Sequence, residues 1–290
     1  RDLHLSIRRQ RQMCIRDRRM NRHLSIGSPH RHWLASAMLA LTVALSLPAA
    51  AGEPTPVPRI DPASGREVAT WPKDRPFDHR HMRLELTFPD MREARLAASM
   101  DLRLAAVGPA RHSVGLDCRG PVVGSVTLSG QACTFSQQDG RLEITLPSPA
   151  RPGQEFTLNI KYDLDFSAAK GEGLTYSPSN PEGEGPTQQA PQVHAQGEAE
   201  LNSRWFPCHD FPNERLSTEM IVNVEPGFEV VSNGRLLSSK PQASGLVRWH
   251  WLLEDPHPAY LVTLAIGHFA IIELGGPESA RPGLPMPLYT

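Results

Sequence analysis

The chain has 290 residues with 30 Lys and Arg against 31 Asp and Glu, and its four cysteines form no CxxC or Cys/His cluster of zinc-finger spacing. The near-neutral total hides an asymmetry: residues 1–51 hold nine Arg and two Asp, so the remainder keeps 21 basic and 29 acidic residues, a net charge of −8. A mildly acidic body lacks the basic footprint that phosphate binding requires, which excludes nucleic acid as the expected partner.

The front end does not read as fold. Residues 13–18, "MCIRDR", resemble the translation of a sequencing-library adapter, so residues 1–19 are expected to be a non-native leader. Met20 starts a basic stretch, the apolar run "WLASAMLALTVALSL" spans Trp33 to Leu47, and Ala49 and Ala51 follow at A-x-A spacing. The apolar run is shorter than the roughly 20 residues of a membrane span, so residues 20–51 are expected to be a secretory signal peptide cleaved near Ala51. The mature protein is then periplasmic or extracellular, with no stable membrane anchor. Export exposes cysteines to an oxidising compartment. A disulfide between Cys118 and Cys133 is open on spacing across an expected hairpin, whereas apolar neighbours mark Cys208 as a buried free thiol.

A Pro-rich linker covers residues 52–75, and strands begin soon after. "MRLELTF" (Met82–Phe88), "MDLRL" (Met100–Leu104), "LEITL" (Leu142–Leu146) and "FTLNIKYDLDF" (Phe156–Phe166) alternate apolar and polar residues with period two. "GLVRWHWLL" aligns Val247, Trp249, Trp251 and Leu253, which makes the tryptophans core residues rather than a sugar-binding platform. "YLVTLAIGHFAII" (Tyr260–Ile272) is apolar on both faces and predicts one long central strand. Asp139-Gly140, Pro152-Gly153, Pro226-Gly227 and Asn233-Gly234 are turn signals. The fold class expected is all-β, an antiparallel sandwich or saddle-like sheet over residues 76–275. Ser167–His194, rich in Gly, Pro and Glu, reads as one long loop.

That loop leads into "QGEAELNSRWFPCHDFPNERLSTEMIV" (Gln196–Val222). Glu198 and Glu200 are two residues apart, so on an extended backbone both carboxylates share a face and can bind an ammonium; two solvated loop acids are the plainer alternative. Pro207 and Pro212 fix the backbone, Asp210 can close the turn on neighbouring N–H groups, and Trp205, Phe206 and Cys208 can fill the core beneath it. His209 and the His79/His81 pair lack partners at metal-ligand spacing. HExxH, G-x-S-x-G, P-loop and G-x-G-x-x-G motifs are all absent from the sequence.

The blocks "QGEAELNSRWFPCHDFPNERLSTEMIV", "VVSNGRL" (Val230–Leu236), "WHWLLEDPHPAYLVTLAIGHF" (Trp249–Phe269) and, more weakly, "GEGLTYS" (Gly171–Ser177) resemble the N-terminal β domain of the gluzincin aminopeptidases, the family of aminopeptidase N. The resemblance implies a β saddle that packs on a thermolysin-like domain, whose G-x-M-x-N loop, HExxH helix and further Glu hold one zinc and cleave the first peptide bond. It also implies that the β domain lends one side chain, two positions after a Gln, to hold the peptide's free α-amine. Gln196-Gly197-Glu198 fits that pattern. Because Glu198 lies one residue further from Arg204 than in many members, Glu200 stays a second candidate. G-x-M-x-N and HExxH do not occur here, so the resemblance makes residues 276–290 the start of a connection to a catalytic domain not in this chain. The zinc belongs to that parent, the partners are a peptide N-terminus and the catalytic domain, and this fragment alone is inactive. The competing expectation is a stand-alone, non-catalytic exported β-sandwich that binds peptide or protein.

Overall fold

The computed structural model describes residues 72–180, 182, 190–274 and 287–289, all within a compact unit that runs from Val68 to Thr290. The leader and signal-peptide expectations therefore lie outside the described residues. In chain order the strands are β1 (Phe77–Thr87), β2 (Arg95–Ala106), β3 (Arg111–Asp117), β4 (Val122–Leu128), β5 (Gln131–Ala132), β6 (Phe135–Gln138), β7 (Arg141–Ala150) and β8 (Glu155–Asp165). They continue with β9 (Gly173–Ser177), β10 (Gln192–Gln196), β11 (Leu216–Val224), β12 (Glu229–Ser232), β13 (Arg235–Pro241), β14 (Val247–His257), β15 (Leu264–Gly267), β16 (Ile271–Glu273) and β17 (Pro287–Tyr289). Single-turn 3-10 helices at Asn202–Arg204 and Ala259–Leu261 are the helical elements among the described residues, and none is long and apolar enough to cross a membrane.

The protein is all-β, as its alternation predicts. An eight-stranded sheet runs β13-β14-β11-β1-β2-β8-β4-β5, a four-stranded sheet β12-β15-β10-β9, and a three-stranded sheet β3-β7-β6. Pairing is antiparallel except between β1 and β11, which run parallel with Leu84 opposite Met220. Period two explains the core. Met82, Leu84 and Leu86 of β1, Met100, Leu102 and Leu104 of β2, and Leu158, Ile160 and Tyr162 of β8 are all buried. Registry places Met100 between Leu84 and Ile160, so one apolar row crosses three strands. Trp249 and Trp251 are buried in the same core.

The four turn signals fall between strands. At Asp139-Gly140 both residues have positive φ, which the tight β6–β7 hairpin demands. Ser129-Gly130 makes the same kind of turn between β4 and β5 without a strong sequence cue.

Three expectations need correction. The region read as a loop from Ser167 contains β9, which pairs with β10 along Gly173–Ser177. The long strand expected over Tyr260–Ile272 is instead a 3-10 turn, the short β15, and β16. The buried Asn202 amide donates to the carbonyls of Ala259 and Val262, so those groups cannot enter a ladder. β15 does lie centrally, between β12 and β10. Finally, Cys118 and Cys133 are not bridged; both are free and buried, as is Cys208. Gln137 Nε2 lies 3.3 Å from Cys118 Sγ, while Cys133 Sγ faces the Gln131 carbonyl. Burial pushes the Cys118 thiol up to about 12 and the Cys208 thiol well above its usual value, so both are protonated and unreactive in the fold. Iodoacetamide should leave Cys118 and Cys208 unmodified in the native protein and alkylate both in denaturant without prior reduction, as read by peptide mass mapping.

Candidate functional site

β10 ends at Gln196 and the chain turns at once. Leu201 N–H donates to the Gly197 carbonyl at 3.0 Å, and the Asn202–Arg204 turn follows. Gly197 is dictated by space: a Cβ there would lie 2.5 Å from Asn202 Oδ1 and from the Tyr260 carbonyl oxygen. The extended geometry that would put Glu198 and Glu200 on one face is therefore not adopted. The peptide bond between Glu198 and Ala199 is cis, and the two carboxylates have different surroundings. Glu198 is exposed and has no hydrogen-bond or ion-pair partner among the described residues. Glu200 is half-buried, with Oε2 at 3.7 Å from Lys73 Nζ and its carbonyl accepting from Arg119 Nη1 at 3.0 Å. Gln196 is exposed at the end of β10, opposite Gly173.

The turn is held from beneath by Asn202, which is fully buried. Its Nδ2 donates to the Ala259 carbonyl and, at 3.0 Å, to that of Val262. Its Oδ1 accepts from Trp205 Nε1 at 2.7 Å. Trp205 and Phe206 pack edge to face at 4.6 Å, and the Trp205 carbonyl accepts from the buried Tyr162 hydroxyl at 2.9 Å. The expected core role of Trp205, Phe206 and Cys208 holds.

Asp210 closes the turn as its position suggests, accepting from Ser203 N–H at 2.9 Å. Its own N–H donates to Asp117 Oδ2 at 2.9 Å. Asp117 also accepts from Lys73 Nζ and from Arg141 Nη1, each at 3.0 Å. Burial by itself would raise the Asp117 carboxyl, but the Asp210 amide, Lys73 and Arg141 outweigh it and hold it below its usual value near 3.8. Lys73 Nζ further donates to the Asp210 carbonyl, and the Lys73 carbonyl accepts from Asn213 Nδ2. Arg75 grips the buried Glu214 with two bonds of 3.0 Å. The end of the Pro-rich stretch is thus a strap across the turn. Lys73, Asp117 and Asn202 were not legible in the sequence, because each depends on at least one partner 44 or more residues away.

His209 Nε2 bonds Asn213 Oδ1 at 2.7 Å. His79 is buried beside it with ring centroids 6.0 Å apart, and burial foremost pushes its imidazole down to about 3. His81 lies past a bulge that separates it from His79 and faces Glu219 instead. Among the described residues no group of three or more His, Cys, Asp or Glu is placed to hold a metal ion.

The chain belongs to the M1 peptidases, the gluzincin family of aminopeptidase N: the model of the Peptidase M1 N-terminal domain matches residues 79–261. Among curated proteins, aminopeptidase B of Rattus norvegicus is 30% identical over 142 residues, 49% of this chain and 20% of that protein. Aminopeptidase RNPEPL1 of Homo sapiens is 25% identical over 272 residues, 77% of this chain and 35% of that protein. A solved M1 zinc metallopeptidase from Deinococcus radiodurans superposes with a TM-score of 0.61 at 22% identity, covering 74% of this chain and 47% of that one. The chain thus spans about a fifth to a third of these curated relatives. It has the fold of an M1 N-terminal domain and a peptidase-related role. Among the described residues the donors do not fit the family's zinc, since His79 is buried, His209 is tied to Asn213 and the Cys118 and Cys208 thiols are buried and protonated.

Two outcomes are expected for the supports of the turn. Asn202→Ala leaves the Val262 carbonyl and the Trp205 indole N–H without their Asn202 partner, while the Ala259 carbonyl keeps only the Val262 N–H. At about 1–3 kcal/mol per orphaned buried group, discounted for relaxation, it should lower stability by about 2–4 kcal/mol in urea unfolding. Because the folded Asp117 carboxyl is depressed, its stabilisation is present above the unfolded value and is lost as pH falls through the folded one. The stability gap between wild type and Asp117→Asn should therefore be full at neutral pH and shrink below about pH 4.

Proposed function

We propose that this chain is the N-terminal, substrate-anchoring part of an exported zinc aminopeptidase, in which Glu198 binds the free α-ammonium of the peptide. The observation that carries this reading is the contrast between the two acids. Glu198 is an exposed carboxylate with no partner among the described residues, at the tip of a turn locked by the buried Asn202, whereas Glu200 already faces Lys73. A carboxylate held on a rigid base loses little entropy on binding and gains a charge-assisted hydrogen bond. The exposed Gln196 flanks it at the strand end. The zinc and its ligands lie in the catalytic domain that M1 relatives possess, and the short apolar run after Met20 supports export. Without that domain the chain cleaves nothing.

The test uses the complete gene product. Glu198→Ala should lower kcat/KM on a peptide with a free N-terminus by about 30-fold or more, corresponding to about 2 kcal/mol or more for a lost buried charge pair. Turnover of the Nα-acetylated peptide, already poor, should not change. A kcat/KM equal to wild type would remove Glu198 from the role, and a large loss in Glu200→Ala alone would transfer it. A complete gene without HExxH would overturn the enzyme reading in favour of a binding domain.

A further inference from the structure

Strand β3 is an edge of the three-stranded sheet, paired with β7 alone. At its end Asp117 exchanges both backbone bonds with Cys208, donating at 2.8 Å and accepting at 3.0 Å. Successive residues of an antiparallel ladder direct their backbone groups to opposite sides. Ser113 and Gly115, in register with Thr145 and Glu143, therefore aim their N–H and C=O groups the same way as Asp117, away from β7. Two other bonds fix the same parity: Cys118 N–H donates to the Gly140 carbonyl at 2.7 Å, and Thr145 N–H donates away from β3 to the Thr134 carbonyl at 2.8 Å. Beyond Cys208 the chain turns aside, with Phe211 N–H donating to the His209 carbonyl. Among the described residues nothing pairs with the free edge at Ser113 and Gly115.

That edge lines a cleft of about 710 Å³ together with Lys73, Phe77 and His79. Its two ends differ in charge state. At the Asp117 end, Lys73 and Arg141 are both engaged by the Asp117 carboxylate. At the other end Arg111 has no ion pair among the described residues, and its Nε is buried without an acceptor. A guanidinium that lines a cleft without an anionic partner among the described residues is best matched by a carboxylate.

We propose that the cleft between β3 and the start of β1 binds an extended peptide segment by strand addition, antiparallel to β3, with a carboxylate at the segment's C-terminal end on Arg111. The direction follows from Cys208, which already runs antiparallel to β3 and marks where an added strand would continue. An antiparallel segment progresses from Asp117 toward Arg111, so its C-terminal end meets the Arg111 guanidinium. Ser113 and Gly115 supply two donors and two acceptors for main-chain recognition. The site needs no free α-amine and is independent of Glu198.

The test is NMR on the full chain, ¹⁵N-labelled, titrated with acetyl-Thr-Val-Thr-Val carrying either a free C-terminal carboxylate or an amide. The acetyl group removes any ammonium that Glu198 could hold. The Ser113 and Gly115 amide signals should shift saturably and exchange more slowly, with the carboxylate peptide binding about tenfold tighter than the amide. Arg111→Gln should erase that tenfold preference. Ser113→Pro, which removes an outward N–H but no ladder bond and is tolerated on an edge strand, should abolish binding. No saturable shift at millimolar peptide, or a carboxylate preference that persists in Arg111→Gln, would overturn the proposal; this second criterion stands even if the proline variant fails to fold.

Discussion

A single buried amide organises the region around the candidate site. Asn202 uses its donor on two carbonyls and its acceptor on an indole, in a pocket sealed from water. In that setting each bond is stronger than at the surface, and each is expensive to leave unmade. The Gly197 turn, the placement of Trp205 and the path of Ala259–Val262 all follow from satisfying that one side chain. The Ala259 and Val262 carbonyls lie just before β15 and are engaged by Asn202 rather than by a neighbouring strand.

Around this amide the charges form a second layer. Asp117 gathers an amide, an ammonium and a guanidinium, and through Lys73 the same layer reaches Glu200. Lys73 and Arg141 remain partly solvated, which lowers the desolvation cost of the arrangement compared with a fully buried pair. The result is an asymmetry between two nearby acids. One is tied into the scaffold, and the other has no partner among the described residues at the tip of the turn. The Arg111 guanidinium is unpaired in the same sense at the far end of the adjoining cleft. In both places the backbone presents a charged group that no described residue pairs with.

The M1 N-terminal domain match takes in most of the strands of the large sheet. The free cysteines show that hairpin spacing need not imply cross-linking. Cys118 faces Gln137 and Cys133 faces a backbone carbonyl, so proximity in sequence across a hairpin does not bring the sulfurs together.

Period-two alternation was enough to identify β1, β2, β7, β8 and β14 and most of the core, since side-chain direction in a strand is a local property. Turn residues marked the hairpins for the same reason, and several blocks in one order marked the family. What the sequence by itself could not decide was anything carried by contacts between distant segments. It did not reveal the parallel pairing of β1 with β11, the breaking of Tyr260–Ile272 by Asn202, or the strap formed by Lys73 and Arg75. It also could not rank Glu198 against Glu200, because i, i+2 spacing aligns two carboxylates only on an extended chain. The close approach at Gly197 bends that chain, and a lysine more than a hundred residues earlier engages one of the two acids. Local periodicity is written in neighbouring residues, whereas the electrostatic partner of a given carboxylate is settled only when the sheets close.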